Sequence, residues 1–162
     1  MLPPHGGRLI NRLVPEKDQA RHREEATELF EVSVSPEIRK DYESISYGLF
    51  SPLEGPLMAN DYASVVANGR LENGVPWTFP IVLDISEKVA AEISEGDDVM
   101  LSQSGEPFSI LHVEDKYTLN KRVHAKEIFN TVEAAHPGVA RTMEMGEVLL
   151  GGNIELFEDS PG

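Results

Sequence analysis

The sequence predicts an α+β fold in which a mixed β-sheet curls into a small barrel flanked by short helices. Residues 77–85 alternate between apolar and polar side chains, which predicts a strand. Two apolar segments on either side of Ser104-Gly105 predict a β-hairpin over residues 99–117. Short amphipathic helices lie between the strands without the regular strand–helix alternation of a parallel α/β sheet.

Composition predicts one acidic, globular domain. The chain has 162 residues, of which 40% are hydrophobic, and 28 acidic against 14 basic residues give a net charge of −14. This charge disfavours a nucleic-acid partner. The absence of cysteine excludes disulfides and thiolate zinc sites, which favours a cytoplasmic location. No apolar run approaches the roughly 20 residues of a membrane-spanning helix.

Two stretches depart from this acidic average. Residues 1–15 contain Arg8 and Arg12 without an acidic residue. Residues 116–126 contain three lysines, an arginine and a histidine, again without an acid. Each stretch could face a small anion or could simply be a solvated face of the domain.

The first third of the chain is predicted to contain short strands and helices. Residues 9–14 and 31–34 are strand candidates, with a polar helix over residues 18–31 between them. Ser35 followed by Pro36 is typical of a helix start. The apolar stripe of that helix is formed by Ile38, Tyr42 and Ile45.

Next comes a loop whose backbone is constrained by glycine and proline. Gly48 and Gly55 permit positive φ, whereas Pro52 and Pro56 restrict φ. We therefore predict an ordered loop that plugs the core. Its apolar side chains, which we expect to be buried, are Leu49, Phe50, Leu53, Leu57 and Met58.

A helix is predicted from an N-cap at Asn60 to a stop at Gly69, followed by a turn at residues 73–74. Residues 86–93 are a short helix or turn. The apolar phase slips between Ile110 and Leu111, which predicts a β-bulge at that point.

The clearest amphipathic helix begins at Asn120, and its apolar stripe consists of Ala125, Ile128, Phe129 and Val132. A turn at residues 135–138 and a final strand at residues 148–156 complete the chain. The predicted core includes Phe79, Ile81, Leu83, Ile128, Phe129 and Leu150. Burial of Phe129 would make Phe129→Ala cost about 3–5 kcal/mol.

The sequence contains few patterns that indicate catalysis. Its five histidines include no His-x-x-His or His-x-x-x-His pair, and no glycine-rich phosphate cradle or Gly-x-Ser-x-Gly elbow occurs. We therefore expect no metal and no cofactor. His5 and His136 each lie in a turn with glycine and proline, where the ring is either hydrogen-bonded locally or presented to a partner.

Four segments, in order, resemble the amino-terminal domain of ATP sulfurylase (sulfate adenylyltransferase). The family usually has phenylalanine at the position of Pro56, so the local loop contacts are expected to differ. The segments are Pro4-His5-Gly6-Gly7 with Leu9-Ile10-Asn11-Arg12; Gly48-Leu49-Phe50-Ser51-Pro52-Leu53-Glu54-Gly55; Arg70-Leu71 through Asn73-Gly74, Trp77 and Pro80-Ile81-Val82-Leu83-Asp84; and His136-Pro137-Gly138-Val139 with Gly151-Gly152.

This resemblance implies a PUA-like pseudo-barrel over residues 1–157, with residues 158–162 as a tail or the start of a linker. In the family, a following nucleotide-binding domain transfers the adenylyl group from ATP to sulfate through a Gln-x-Arg-Asn motif and a paired-histidine motif. The chain ends at Gly162 before any such domain. We therefore expect the isolated chain to be catalytically silent.

The resemblance also implies a partner, the family's catalytic domain in the same or a separate chain. A second copy of this chain is a further partner to consider, and no membrane is expected. An alternative is a free-standing PUA-like module that binds a nucleotide, RNA or protein. The residues expected to meet the partner on one face are His5, Asn11, Arg12, Ser51, Pro52, Leu53, Glu54, Gly55 and His136.

Arg12 has two interpretations. Its guanidinium is a planar fork of donors suited to a carboxylate or phosphate of the partner. Alternatively, Arg12 pairs only with a neighbouring acid such as Glu54, which on an exposed surface contributes at most about 1 kcal/mol.

Overall fold

The computed structural model describes residues 12–15, 17–18, 24–25 and 28–156, and these confirm the predicted α+β fold. None of the described helices is long and apolar enough to cross a membrane. The described helices that can be bounded are α1 (Pro36–Ser46), α2 (Ala59–Asn68), α3 (Glu87–Ala90), α4 (Lys121–Phe129) and α5 (Pro137–Glu144). The strands are β1 (Phe30–Ser33), β2 (Leu83–Ile85), β3 (Asp98–Gln103), β4 (Glu106–Thr118) and β5 (Val148–Leu156).

The chain divides into two compact units, and strands β4 and β5 contribute residues to both. The first unit contains the described residues as far as Pro56, together with Gly96–Glu114 and residues 152–156. The second contains Leu57–Glu95 and Asp115–Gly151.

In the first unit the strand order is β1-β3-β4-β5, with β1 parallel to β3 and β3 antiparallel to β4. The β3–β4 hairpin turns at Ser104 and Gly105, both with positive φ, as the sequence predicts. A register shift leaves Phe108 without a partner, because Leu101 faces Ser109 and Ser102 faces Pro107. The bulge therefore lies two residues before the predicted position. Residues 108–111 are all buried, so both faces of the strand are covered there. Apolar and polar residues therefore do not alternate in a way that shows the position of the bulge.

Helix α1 begins as predicted, because the Ser35 hydroxyl accepts a hydrogen bond from the Ile38 backbone N–H at 3.2 Å. Tyr42 and Ile45 are fully buried, whereas Ile38 is half-buried. The helix before β1 was predicted to extend to residue 31, and this predicted end is wrong. Phe30 already belongs to β1, because pairing with β3 takes precedence over helical propensity there.

In the second unit β2 pairs antiparallel with residues 148–150 of β5. The predicted strand over residues 77–85 is thus shortened to three residues. Its alternation still describes burial at Trp77, Ile81, Leu83 and Ile85, but the Phe79 side chain is 50% exposed. The prediction of Phe79 as a core residue is wrong, because residues 77–82 belong to no strand and the Phe79 ring packs beside Trp77 at 5.9 Å.

Helix α2 begins at Ala59, with Met58 rather than Asn60 at the N-cap. The Asp115 carboxylate accepts a hydrogen bond from the Ala59 backbone N–H at 2.8 Å and so replaces a local capping side chain. The predicted end is confirmed, since Gly69 adopts the left-handed conformation. Residues 86–93 were predicted to be a short helix or a turn, and the structure has the helix α3 there.

Helix α4 begins after Asn120 as predicted, but its buried side chains are His124 and Ala125. Ile128 and Phe129 are half-buried, so the premise of a large Phe129→Ala effect is wrong. The helix ends at a left-handed Asn130, which places Val132 beyond it. Helix α5 begins at Pro137, where the sequence predicted only a turn.

Candidate functional site

The segment at residues 48–56, which we name the Ser-Pro loop, leaves the end of α1 through backbone hydrogen bonds. The Gly48 N–H donates to the Ile45 carbonyl at 3.0 Å, and the Leu49 N–H donates to the Ser44 carbonyl at 2.9 Å. Gly48 has φ of 83°, as predicted from its position. These bonds confirm an ordered loop.

Ser51 stabilises the interior of this loop. Its side chain is 1% exposed, and its hydroxyl donates to the Gly48 carbonyl at 2.6 Å. The Leu53 N–H then donates to the Phe50 carbonyl at 3.0 Å, and Leu53 itself is buried. The peptide bond between Ser51 and Pro52 is cis. A buried hydroxyl with a local backbone acceptor stabilises a turn.

The second half of the Ser-Pro loop lies directly against β5. The Ile154 N–H donates to the Glu54 carbonyl at 2.9 Å, and the Gly152 N–H donates to the Pro56 carbonyl at 3.2 Å. An added Cβ on Gly55 would overlap the Gly152 carbonyl. Gly55 has no positive φ, so the predicted reason for glycine is wrong and close backbone approach is the actual one.

Arg12 contacts both β5 and the Ser-Pro loop in the first unit. Its Nε donates to the Ile154 carbonyl at 2.8 Å, and its terminal nitrogen lies 3.6 Å from a carboxylate oxygen of Glu54. Both side chains are partly exposed. The structure therefore brings Arg12 and the Ser-Pro loop together through β5, and the ion pair with Glu54 that the sequence offered as an alternative is present. A role of Arg12 toward a partner stays a prediction.

The Ser-Pro loop exposes apolar surface that the sequence predicted to be buried. Leu53 is buried as expected, but the Leu49 side chain is 74% exposed. Just after the loop, at the start of the second unit, Leu57 is buried as expected and Met58 is exposed. Tyr47, at the end of α1, is exposed as well. Backbone hydrogen bonds hold the loop without help from the Leu49 side chain, which explains how it can project into solvent.

The remaining predicted site residues lie elsewhere or outside the described part of the chain. His136 is in the second unit, where its Nδ1 accepts from the Gly138 N–H at 3.0 Å and caps α5. Its ring is exposed and lies 5.1 Å from the ring of Phe129. The structure thus provides the local hydrogen bond that the sequence offered as one explanation. His5 and Asn11 lie outside the described residues.

His112 lies between two carboxylates in the first unit. Its Nδ1 is 2.7 Å from Asp98 and its Nε2 is 3.6 Å from Glu155. Within the ranges that the structure describes, no group of three or more histidine or acidic side chains is placed to hold a metal ion.

The second unit contains a polar cluster that the sequence does not predict. The Tyr62 hydroxyl and His124 Nδ1 share a hydrogen bond of 2.7 Å, and their rings are nearly parallel at 5.9 Å. The Tyr117 hydroxyl donates to the Leu57 carbonyl at 2.6 Å. Burial raises the pKa of Tyr62 to about 12 and lowers the pKa of His124. No local pattern indicates this cluster, because Tyr62 and His124 are 62 residues apart.

We expect His124 to make the domain less stable in acid. Burial lowers its folded pKa below the unfolded value of about 6.5, so the unfolded chain binds the proton more readily between these two values. The stability that depends on a neutral His124 is complete above about pH 6.5 and decreases as the pH falls through this window. His124→Asn retains a polar group for Tyr62 without the titration. Its melting temperature should decrease less than that of the wild type between about pH 7.5 and pH 5; equal decreases would contradict the assignment.

With this geometry established, comparison of the chain with known proteins gives a match to the PUA-like domain family over residues 2–159. The chain belongs to this family. The described strands and helices are consistent with that assignment, which confirms the fold that the sequence resemblance implied.

The relatives of this PUA-like domain also confirm the resemblance. It is 44% identical over 158 residues to a sulfate adenylyltransferase of Hyperthermus butylicus and 40% identical to one of Staphylothermus marinus. These matches cover 98% and 97% of the domain but 41% of each relative. A probable bifunctional SAT/APS kinase 2 of Sorangium cellulosum is 39% identical, and 27% of it is covered. The chain therefore spans about two fifths of the sulfate adenylyltransferases it matches.

A solved structure supports the fold independently. A hexameric APS kinase from Thiobacillus denitrificans matches all of this PUA-like domain with a TM-score of 0.73, over 28% of that chain. At 21% sequence identity, this likeness extends to the fold alone.

Proposed function

We propose that this PUA-like domain is the amino-terminal, non-catalytic part of a sulfate adenylyltransferase, which converts ATP and sulfate to adenylyl sulfate and pyrophosphate. The observation that supports the proposal is the 44% identity across 98% of the chain to an enzyme of which the match covers 41%. The remaining part of such an enzyme would hold the catalytic groups, because the sequence contains neither the family's catalytic motifs nor another phosphate cradle.

The proposed role of the domain is to support that catalytic part through the surface of the first unit. Leu49 offers an exposed apolar side chain on a loop whose backbone is already ordered, so its burial would require little further ordering. Fully burying a leucine side chain contributes about 1.5–3 kcal/mol. Arg12 and Glu54 lie in the same unit and supply charges that could pair with a partner. His5, Asn11 and His136 stay predicted members of the surface.

Arg12 is a poor probe of this docking. Its Nε already donates to the Ile154 carbonyl, so Arg12→Ala would remove a bond within the domain as well as any bond to a partner. A test at Leu49 avoids this ambiguity, because the Leu49 side chain is exposed.

The test is a chimera in which this chain replaces the matching 158 residues of the Hyperthermus butylicus enzyme. We expect pyrophosphate release that depends on both ATP and sulfate from the chimera and none from the isolated chain. Leu49→Ser should lower that activity about tenfold, which corresponds to a loss of about 1.4 kcal/mol in docking. The melting temperature of the isolated chain should be unchanged.

Met143→Gln is the matched control, since Met143 is another exposed apolar side chain, on α5 in the second unit. It should leave the activity of the chimera unchanged. An inactive chimera whose two parts both fold would favour the alternative of a free-standing binding module. Equal effects of Leu49→Ser and Met143→Gln would exclude the Ser-Pro loop as the docking surface.

A further inference from the structure

An open cavity of about 380 Å³ lies along α4 in the second unit. It falls within the usual size range of small-molecule sites, about 300–1,000 Å³. Its position coincides with the basic stretch at residues 116–126 that the sequence analysis distinguished from the acidic remainder of the chain. The lining residues are Arg122, Val123, Lys126, Glu127 and Val132.

The two cations of the cavity differ from the other cations of the stretch. Lys116 donates to the Ala90 and Ile93 carbonyls, and Lys121 pairs with Glu147 and donates to the Met143 carbonyl. Arg122 and Lys126 are exposed and form no ion pair with any residue in the described part of the chain. Their charges are thus available to an anion.

Arg122 is also poorly placed for the stability of α4. It lies in the first turn, where the helix dipole disfavours a cation, and that turn contains no acidic residue. Lys126 lies in the last turn, where a cation is favourable, so helix stability can explain Lys126 but not Arg122. Arg122 and Lys126 are four positions apart, which places them on the same face of the helix.

The cavity also has an apolar part, formed by two valine side chains. The Val123 side chain is 50% exposed although it is β-branched and apolar, and the half-buried Val132 supplies a second apolar contact. Glu127 adds one carboxylate beside them. The cavity therefore combines two cations, two apolar side chains and one hydrogen-bond acceptor.

We propose that this cavity binds a small organic anion. The phosphate or carboxylate of the ligand lies between Arg122 and Lys126, because a guanidinium and an ammonium donate charge-assisted hydrogen bonds to such groups. The apolar body of the ligand covers Val123 and Val132, and Glu127 accepts a hydrogen bond from a hydroxyl or amine on the ligand. In a chain of net charge −14, the two cations are the local attraction that an anion needs.

The test titrates the full chain with phenyl phosphate, benzoate, inorganic phosphate and benzyl alcohol at constant ionic strength, followed by amide NMR shifts. We expect phenyl phosphate or benzoate to shift residues of α4 and Val132 with a Kd of about 1 mM or below. Inorganic phosphate lacks the apolar body and benzyl alcohol lacks the charge, so each should bind at least about tenfold more weakly. The comparison of phenyl phosphate with benzoate identifies the preferred anion.

The double substitution Arg122→Gln and Lys126→Gln should weaken binding of the preferred probe at least about tenfold. Lys40→Gln with Lys88→Gln removes the same total charge from exposed positions on α1 and α3 and should leave the affinity within about twofold. The proposal is overturned if neither organic anion saturates the α4 shifts, or if the two double variants weaken binding equally. Neither result depends on the proposed role in sulfate adenylyltransferase.

Discussion

Gly55→Ala should destabilise the domain by at least about 3 kcal/mol, the upper end of the usual cost of overpacking. The added Cβ would overlap the Gly152 carbonyl, which is backbone and cannot rotate away as a side chain could. Moving the loop outward would break the hydrogen bonds from Ile154 to Glu54 and from Gly152 to Pro56. The free energy of unfolding, measured with urea for the isolated chain, reports this loss.

Gly69→Ala provides the matched control. Gly69 has φ of 66° but no atom within 4 Å of an added Cβ, so its substitution costs only the strain of a left-handed alanine, about 1 kcal/mol. Gly55→Ala should therefore be the more damaging of the two by a clear margin. Equal losses would mean that the Ser-Pro loop does not approach β5 as closely as described.

Phe108→Ala should cost about 3–5 kcal/mol, the range for deleting a buried phenylalanine. The ring is fully buried in the first unit. Phe108 is also the residue that the β-bulge leaves without a partner on β3. The Arg39 guanidinium lies 5.0 Å from the ring centroid, which adds a cation–π contact to the loss of packing. Urea unfolding again gives the comparison with the wild type.

Phe79→Ala is the matched control for Phe108→Ala, because it removes an identical side chain from a position that is 50% exposed. Its cost should stay below about 1 kcal/mol, because a surface substitution leaves no cavity. Phe79 is a predicted core residue and Phe108 is not, so the two variants also distinguish the core predicted from sequence from the core of the structure. If Phe79→Ala lowered the free energy of unfolding more than Phe108→Ala, the core predicted from sequence would be supported instead.

The sequence by itself determined the features whose causes are local. Ser35 and Asn120 begin helices because their side-chain oxygens accept backbone N–H groups three residues ahead. Gly69 ends a helix, and Ser104-Gly105 turns a hairpin, because these positions require positive φ. The order of short motifs along the chain was sufficient to indicate the family, which the match over residues 2–159 confirms.

Only the tertiary structure decided which apolar side chains are covered and which polar groups meet. Leu49 and Phe79 are apolar like core residues, yet burial depends on whether a distant segment covers them. Among the residues that the structure describes, none covers either side chain fully. The bond from Arg12 to the Ile154 carbonyl spans 142 positions of sequence. Periodicity within one element contains no information about such contacts, because the partner is selected by the packing of other elements.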